Sequence, residues 1–271
     1  MVNGNATSST GNTRFFKTFL ALFGLGLLGV LSLIPTIITQ LDAVPPELAT
    51  LPAPLLVVVL ALNPVILLAI AVAVGTLLAH RVGLPSLVAE KVRHGTAIWP
   101  RLRPHIPMAF VAGIIFMIVV VVLDLVIAPF ADIELLDEGA AETSILMRLL
   151  VGVFYGGITE ELLLRWGFMS LLLWIGWRVV QRGQGAPRPW LVWTAIILAA
   201  LLFGIGHLPA LAAMVEPTPL LIVRTVLLNA LGGLVFGWLF WRRSLEVAMV
   251  SHAAFHVGLF VVNLVALIFQ R

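Results

Sequence analysis

The sequence contains no cysteine, a single tyrosine and few charged residues, and these scarcities exclude several classes of protein. Without cysteine the chain cannot form disulfides, use thiol catalysis or bind metals through thiolates. Charged residues make up only 11% of its 271 residues, whereas 61% are hydrophobic. Soluble domains carry about 25% charged and about 45–50% apolar residues. The composition therefore predicts an integral membrane protein, and the net charge of +3 does not indicate a nucleic-acid-binding surface.

Seven stretches of the chain are apolar enough to cross a bilayer, which takes roughly 20 residues. They are residues 15–39, 55–79, 108–130, 146–177, 191–215, 218–241 and 245–269. We therefore predict an all-α, polytopic bundle of about seven transmembrane helices. Residues 1–14 are polar and predict a disordered tail. Residues 15–144 would form an N-terminal group of helices that includes a basic loop at 80–107, where a short amphipathic helix would lie on the membrane surface.

The connections between these spans alternate in charge. The basic ones contain Arg14, Lys17, Arg81, Lys91, Arg93, Arg101, Arg103, Arg178, Arg182, Arg188, Arg242 and Arg243. The acidic ones contain Asp42, Glu47, Asp132, Glu134, Asp137, Glu138, Glu142 and Glu216. Because basic loops stay in the cytoplasm, the pattern predicts a cytoplasmic N-terminus and an external C-terminus. The expected location is the plasma membrane of a prokaryote.

Three ionisable residues interrupt the fourth apolar stretch, in the segment FYGGITEELLLRWGF. Glu161 and Arg165 are spaced i,i+4 in the order that favours an ion pair on a helix. Glu160 has no such local partner. Successive helical residues point about 100° apart, so the two glutamates are not expected to face the same place. A carboxylate without a partner at membrane depth is a functional candidate by default. We therefore predict that Glu161 and Arg165 form a supporting pair, and that Glu160 is the group free to act. The Gly156–Gly157 pair is the expected bend in this helix.

Three histidines lie in the later spans: His207 in the fifth, and His252 and His256 one turn apart on one face of the seventh. A glutamate beside neutral imidazoles is suited to activate water, and an imidazole N–H can donate to an oxyanion. The same four side chains are also of the kind that binds Zn2+. Water activated without a metal and a zinc site are therefore alternatives. Together with Glu160, the three histidines predict hydrolytic chemistry.

The remaining polar residues of the spans have structural explanations. Asp124, Arg148 and Arg224 lie near span ends, where they would snorkel or pair with one another. Asn229 and Asn263 would form hydrogen bonds between helices.

The order and spacing of three motifs resemble those of the CAAX-protease and bacteriocin-processing family of intramembrane endopeptidases. EELLLR at 160–165, FGIGH at 203–207 and HAAFH at 252–256 are similar to the family's EExxxR, FxxxH and HxxxN/D signatures. The resemblance covers about residues 145–269 and implies that these form the catalytic core. It further implies hydrolysis of a peptide bond in a membrane-associated, and in the best-known relatives prenylated, protein or peptide. The partners implied are this substrate and the lipid bilayer.

The resemblance also implies individual roles. Glu160 would be the general base, His207 would orient the water, His252 would supply the oxyanion hole, and Glu161 with Arg165 would support them. His256 departs from the family, which has Asn or Asp at that position, and it completes the set of one glutamate and three histidines that a metal would need. No cofactor is required if Glu160 activates the water, whereas Zn2+ would be required if the set binds a metal.

Other intramembrane proteases fit poorly, since the sequence has no HExxH, no GxGD and no Gly-x-Ser inside a span. The alternative function is a non-catalytic membrane protein of the same fold, acting in bacteriocin immunity or maturation or as a scaffold. A third hypothesis is a proton or ion carrier, but the two repeat halves typical of carriers are absent from the sequence.

Straight, vertical helices would not bring the predicted site together. At 1.5 Å per residue, His207 would lie about 6 Å to one side of the midplane and His252 about 7 Å to the other. The catalytic hypothesis therefore requires tilted or interrupted helices, and it loses its basis if the groups are more than about 8 Å apart. Breaks are expected at Gly204, Gly206 and Pro209.

Overall fold

The computed structural model describes residues 4–41, 44, 47, 50–130 and 144–269, with side chains from Asn12 onward. These residues are almost entirely helical and include no strand. Seven helical segments are long and apolar enough to cross a membrane, which confirms the predicted all-α membrane fold. In chain order these are the first to seventh spans: Asn12–Thr39, Ala53–Val82, Trp99–Phe130, Ile145–Val180, Pro189–Met214, Pro219–Arg242 and Leu245–Phe269.

Most spans consist of more than one helical piece. The pieces are Gly4–Ser32 and Ile34–Thr39 in the first; Ala53–Leu78 and Ala79–Val82 in the second; Trp99–Leu102, Arg103–His105, Ile106–Ile127 and Ala128–Phe130 in the third; Ile145–Val151, Gly152–Met169 and Ser170–Val180 in the fourth; and Pro189–Gly206 and Leu208–Met214 in the fifth. The sixth and seventh spans are single helices, and the short helix Leu87–His94 lies between the second and third.

Two predicted segments differ from the structure or fall outside it. The first helix begins at Gly4, so residues 4–14 of the predicted tail are helical, and residues 1–3 lie outside the described residues. The acidic residues of the connections also lie outside the described residues, apart from Glu47 and Glu216. The loop predicted at 80–107 contains the helix Leu87–His94, and its last part, from Trp99, already belongs to the third span.

Local sequence signals explain several helix boundaries. Pro189 and Pro219 occupy the first turn of the fifth and sixth spans, where the missing N–H costs nothing. Ser86, Ser144 and Thr218 cap helices by accepting a backbone N–H three residues later.

The fourth span is the centre of the bundle and packs against the first, second, fifth and seventh spans. Small residues allow the close approach. A Cβ at Gly75 would lie 2.3 Å from the Trp166 ring, and one at Gly167 would lie 2.6 Å from Ala71. The Thr159 hydroxyl donates a hydrogen bond of 2.7 Å to the Gly26 carbonyl of the first span. Close packing of small residues and interhelical hydrogen bonds hold membrane helices together, and here they fix the helix that carries both glutamates.

The two ends of the bundle are built differently. The ends of the second, fourth and sixth spans meet the beginnings of the third, fifth and seventh, and we call this the closed end. There Glu246 accepts hydrogen bonds from the Ser86 hydroxyl (2.7 Å) and from the N–H groups of Leu87 (2.9 Å) and Val88 (3.0 Å). These bonds join the seventh span to the short helix Leu87–His94. The opposite end, which we call the open end, contains the polar cavity described below.

Candidate active site

The glutamates lie on a π-helical segment, Gly152–Met169, within a fourth span that continues unbroken from Ile145 to Val180. At Gly156–Gly157, where a bend was predicted, the helix widens to i→i+5 hydrogen bonding and does not break. The two glycines allow close approach of the seventh span. A Cβ at Gly156 would lie 2.6 Å from Nε2 of His256, and one at Gly157 would lie 3.1 Å from Ala253. Long π-helical segments are rare and occur mostly at functional sites.

Glu160 lies between two of the predicted histidines. One carboxylate oxygen is 4.0 Å from Nε2 of His207, and the other is 4.0 Å from Nε2 of His252. The three groups thus come together well within 8 Å. The fifth span is interrupted where predicted, since the helix Pro189–Gly206 ends at His207 and a new helix begins at Leu208. This interruption and the widened fourth span bring together side chains that straight helices would separate.

The other ring nitrogens fix the tautomers of these two histidines. Nδ1 of His207 is 2.8 Å from the Phe203 carbonyl, which can only accept, so this nitrogen carries the proton. Nδ1 of His252 is 2.9 Å from Oε1 of Glu161 and donates to that carboxylate. In the neutral imidazoles both Nε2 atoms therefore present a lone pair toward Glu160. Two acceptors and a carboxylate that face one space require donors between them, which water molecules are suited to supply.

Glu161 is held from two sides. Its Oε1 is 3.0 Å from Nη1 of Arg165, and both side chains are buried. The guanidinium of Arg165 lies 4.7 Å from the centre of the Phe203 ring and 5.4 Å from that of Phe236. Cation–π contacts of this kind stabilise a buried guanidinium. The pair thus holds the Glu161 carboxyl group against His252.

The inference that the two glutamates cannot face one place is wrong. Glu161 contacts one edge of the His252 ring, and Glu160 approaches the other edge. The angle of about 100° between successive side chains applies to an α-helix, whereas this segment has the wider π-helical turn. Glu161 therefore both pairs with Arg165 and orients the imidazole that faces Glu160.

His256 is near the site but does not join it through hydrogen bonds. Its ring stacks on His252 with centres 5.1 Å apart and planes 21° apart. Among the described residues it has no hydrogen-bond or ion-pair partner. No three His, Asp or Glu side chains in this part of the chain are close enough together to bind a metal. The predicted zinc site of Glu160, His207, His252 and His256 therefore stays a prediction, and we derive no step through a metal from it.

Two cavities meet at Glu160. The first, of about 380 Å³, we call the polar cavity, and it is lined by Glu160, the three histidines and several polar residues of the third and sixth spans. The second, of about 390 Å³, lies between the second, fourth and fifth spans, and we call it the apolar cavity because aliphatic side chains dominate its wall. Glu160, His207, Tyr155 and Phe203 line both cavities. A reacting group at Glu160 is therefore accessible from a polar side and from an apolar side.

Sequence reasoning missed some residues of the polar cavity. Tyr155 lies about one turn before Glu160 and lines the cavity. It is the only tyrosine of the chain, and this is the sequence feature by which it could have been identified. Asn229 was expected to bond between helices, but its amide donates to the Thr225 carbonyl of its own helix at 2.8 Å.

Asp124 and Arg224 also line this cavity, and they pair as predicted. Nε and Nη2 of Arg224 donate to the two carboxylate oxygens of Asp124, each at 2.7 Å. The pair joins the third span to the sixth across the wall of the polar cavity.

Comparison with known proteins gives one match. Residues 142–258 match the family model described as type II CAAX prenyl endopeptidase Rce1-like. The matched segment includes the fourth, fifth and sixth spans and the seventh as far as Gly258, and so contains both glutamates, Arg165 and the three histidines of the site. Searches of curated proteins and of solved structures found no match.

Proposed function

Because residues 142–258 match the family model of type II CAAX prenyl endopeptidase Rce1-like proteins, we propose that this chain is an intramembrane endopeptidase. The observation that carries the proposal is the position of the Glu160 carboxylate, 4.0 Å from Nε2 of both His207 and His252 inside a cavity of the bundle. A family domain supports peptidase chemistry in general, and this geometry supports glutamate-activated water in particular.

The proposed reaction begins with a water molecule between Glu160 and the two imidazoles. The water donates one hydrogen to the carboxylate and the other to the Nε2 lone pair of one of the two imidazoles, which fixes its orientation. Glu160 takes one proton as the water oxygen adds to the carbonyl carbon of the peptide bond. The tetrahedral intermediate then collapses, its C–N bond breaks, and Glu160 returns the proton to the leaving nitrogen. Atoms and protons balance without a cofactor.

The role of His252 follows from its partner Glu161. A neutral His252 that donates Nδ1–H to Glu161 has no hydrogen at Nε2, so it accepts from water in the resting site. The oxyanion role implied by the resemblance requires the imidazolium form, in which Nε2 also donates. His252 therefore acts as an acceptor in the proposed steps, which supply no proton for that form, and its oxyanion role stays a prediction of the resemblance.

The substrate would be membrane-associated, because the apolar cavity ends at the same carboxylate. Its wall includes Leu67, Ile70, Leu163, Leu171 and Leu202. A site of this kind accommodates an aliphatic chain, supplied either by a prenyl group or by an apolar peptide segment. Comparing cleavage of a peptide with and without a prenyl group would distinguish the two sources.

The central test is Glu160→Gln, which keeps the size of the side chain and removes the base. Loss of a general base lowers the rate by about 10²–10⁴-fold. The measurement compares peptides and new protein termini in membranes that contain the native chain or the variant. Glu216→Gln, the same change at an exposed position of the connection before the sixth span, is the matched control and should cleave like the native chain. Equal cleavage by the native chain and Glu160→Gln would contradict the proposal and favour the non-catalytic alternative.

The same membranes test metal dependence. On the proposed mechanism, a zinc chelator leaves cleavage by the native chain unchanged. If the chelator abolishes cleavage and added Zn2+ restores it, Glu160 acts together with a metal, and the proposed mechanism is wrong in this respect.

A further inference from the structure

The site around Glu160 is rich in hydrogen-bond acceptors and poor in donors. The Nδ1–H of His207 is directed to the Phe203 carbonyl. The Nδ1–H of His252 is directed to the Glu161 carboxylate. Both Nε2 atoms that face Glu160 therefore carry lone pairs. When water adds to a peptide bond, the carbonyl oxygen becomes negatively charged and needs a hydrogen-bond donor. The groups that activate the water do not supply this donor.

The attacked carbonyl lies where the polar and apolar cavities meet, because the water is held there by Glu160. Four residues line both cavities: Tyr155, Glu160, Phe203 and His207. The Phe203 side chain has no polar hydrogen, and the Glu160 carboxylate only accepts. His207 presents its lone pair. Among these four, Tyr155 alone therefore has a side-chain hydrogen that is free to donate.

The other donors of the polar cavity are placed differently. They line this cavity but not the apolar one, and they are Arg224, Thr225, Asn229 and His256. A donor for the carbonyl oxygen is needed at the junction of the two cavities, and Tyr155 is the donor that lies there.

The π-helical segment explains why Tyr155 reaches the same space as Glu160. In an α-helix each residue adds about 100°, so side chains five residues apart point about 140° away from each other. In Gly152–Met169 the backbone bonds run i→i+5, so Tyr155 and Glu160 lie one turn apart on nearly the same side. Their presence in the walls of the same two cavities agrees with this geometry.

The Tyr155 hydroxyl has no structural role in holding the helices together. It forms no hydrogen bond with any residue that the structure describes, and its side chain is partly buried. By contrast, the Thr159 hydroxyl of the same segment donates to the Gly26 carbonyl at 2.7 Å. A hydroxyl at membrane depth costs free energy unless it is hydrogen-bonded, so its partner is expected to be water or substrate in the cavity.

We propose that Tyr155 is a further catalytic residue, whose hydroxyl donates a hydrogen bond to the oxyanion formed from the peptide carbonyl. The role rests on the proposed function as an endopeptidase. As the water oxygen bonds to the carbonyl carbon, the electron pair of the C=O π bond moves to the carbonyl oxygen, which accepts from the phenol. The pair returns when the C–N bond breaks, and the phenol keeps its proton throughout. Tyr155 thus acts on the carbonyl oxygen, while Glu160 acts on the water and the leaving nitrogen.

The test is Tyr155→Phe, which removes only the hydroxyl. The substrate is a peptide identified by comparing native and Glu160→Gln membranes. Loss of one oxyanion donor lowers kcat by about 10²–10³-fold. KM and the thermal unfolding midpoint should stay native, because the bond to the oxyanion forms only during the reaction. Thr194→Val is the matched control. It removes an exposed hydroxyl that bonds to the Trp190 carbonyl of its own helix, outside both cavities, and should keep the native kcat.

The kinetic outcomes separate this role from the proposed function. A native kcat in Tyr155→Phe, beside an inactive Glu160→Gln, overturns the role of Tyr155 and leaves the endopeptidase standing. A raised KM with native kcat also overturns it, because the hydroxyl would then bind the substrate before the reaction. If the native chain cleaves no more than Glu160→Gln, the proposed function fails, and the role of Tyr155 fails with it.

A second measurement needs no cleavage. Because Tyr155 is the only tyrosine, growth on a ring-fluorinated tyrosine labels this position alone. The fluorine NMR spectrum of the full chain in detergent should contain one tyrosine resonance. Glu160→Gln should shift this resonance, since the phenol and the carboxylate face one space, whereas the exposed Glu216→Gln should not. A resonance that Glu160→Gln leaves unmoved overturns the proposal whether or not a substrate is known.

Discussion

Glu160 and Glu246 are two enclosed glutamates of one bundle with different surroundings. The contacts of Glu160 suit a chemical role, whereas those of Glu246 suit a structural one. Glu246, at the closed end, is 7% exposed and accepts hydrogen bonds from one hydroxyl and two backbone N–H groups. The Glu160 side chain is 16% exposed, faces two histidines at 4.0 Å and accepts no hydrogen bond from the residues described. A satisfied carboxylate joins helices, whereas an unsatisfied one beside a cavity is available for water.

The comparison predicts that substitutions around Glu160 change activity and those around Glu246 change stability. His207→Ala removes one of the two acceptors that orient the water, so cleavage should fall by about 10²–10⁴-fold while the unfolding midpoint is unchanged. The measurement is kcat/KM on a cleaved peptide, together with thermal unfolding in detergent.

His94→Ala is the matched control, because that histidine is exposed on the helix Leu87–His94 and far from the cavity. It should retain native activity. If the His207→Ala chain kept the native kcat/KM, the prediction that substitutions around Glu160 lower activity would be contradicted.

The next effect tests a residue that lies between the two ends. Arg165→Met leaves the fully buried Glu161 without its ion-pair partner, and an uncompensated buried charge costs about 3–5 kcal/mol. The free energy of unfolding would be measured by SDS titration in mixed micelles. The double variant Glu161→Gln with Arg165→Met should recover much of the loss because both charges are gone. A single variant that loses less than about 1 kcal/mol would show that the pair does not stabilise the fold.

Prediction from the sequence was most successful where a single physical property decides the outcome. Apolar length located all seven spans, and the spacing of Glu161 and Arg165 predicted a pair whose atoms lie 3.0 Å apart. Glycine and proline near His207 predicted the interruption of the fifth span.

The shape of the fourth span could not be predicted in this way. Angles between side chains were calculated for an α-helix, and nothing in the residues of Gly152–Met169 distinguishes a π-helical segment from an α-helical one with a bend. The second contact of Glu161, with His252, depends on that geometry and on how the seventh span packs over Gly156 and Gly157. Side-chain convergence between helices is a tertiary property that one-dimensional spacing does not contain.

Glu246→Gln tests the closed end. Hydrogen bonds to a charged group contribute about 1.5–3 kcal/mol, so this change should lower the free energy of unfolding by roughly that amount. The kcat/KM of the folded fraction should stay at the native value, because the residue lies away from the cavity. Glu90→Gln, at the exposed partner of Arg101, is the control and should cost about 1 kcal/mol or less. A large loss of kcat/KM in folded Glu246→Gln would mean that the closed end takes part in the reaction.

The smallest effect is expected at His256, the position where the resemblance calls for Asn or Asp. His256 stacks on His252 and packs near Gly152 and Gly156, but it has no hydrogen-bond partner among the described residues. His256→Asn keeps a polar side chain and removes only the ring contact, so kcat/KM should change by about tenfold or less, equivalent to about 1.4 kcal/mol. The loss should be the same with and without a chelator. A loss comparable to that of His207→Ala would instead place His256 among the groups that act on the substrate. The groups that act on the substrate would then include His256 in addition to Glu160, His207 and His252.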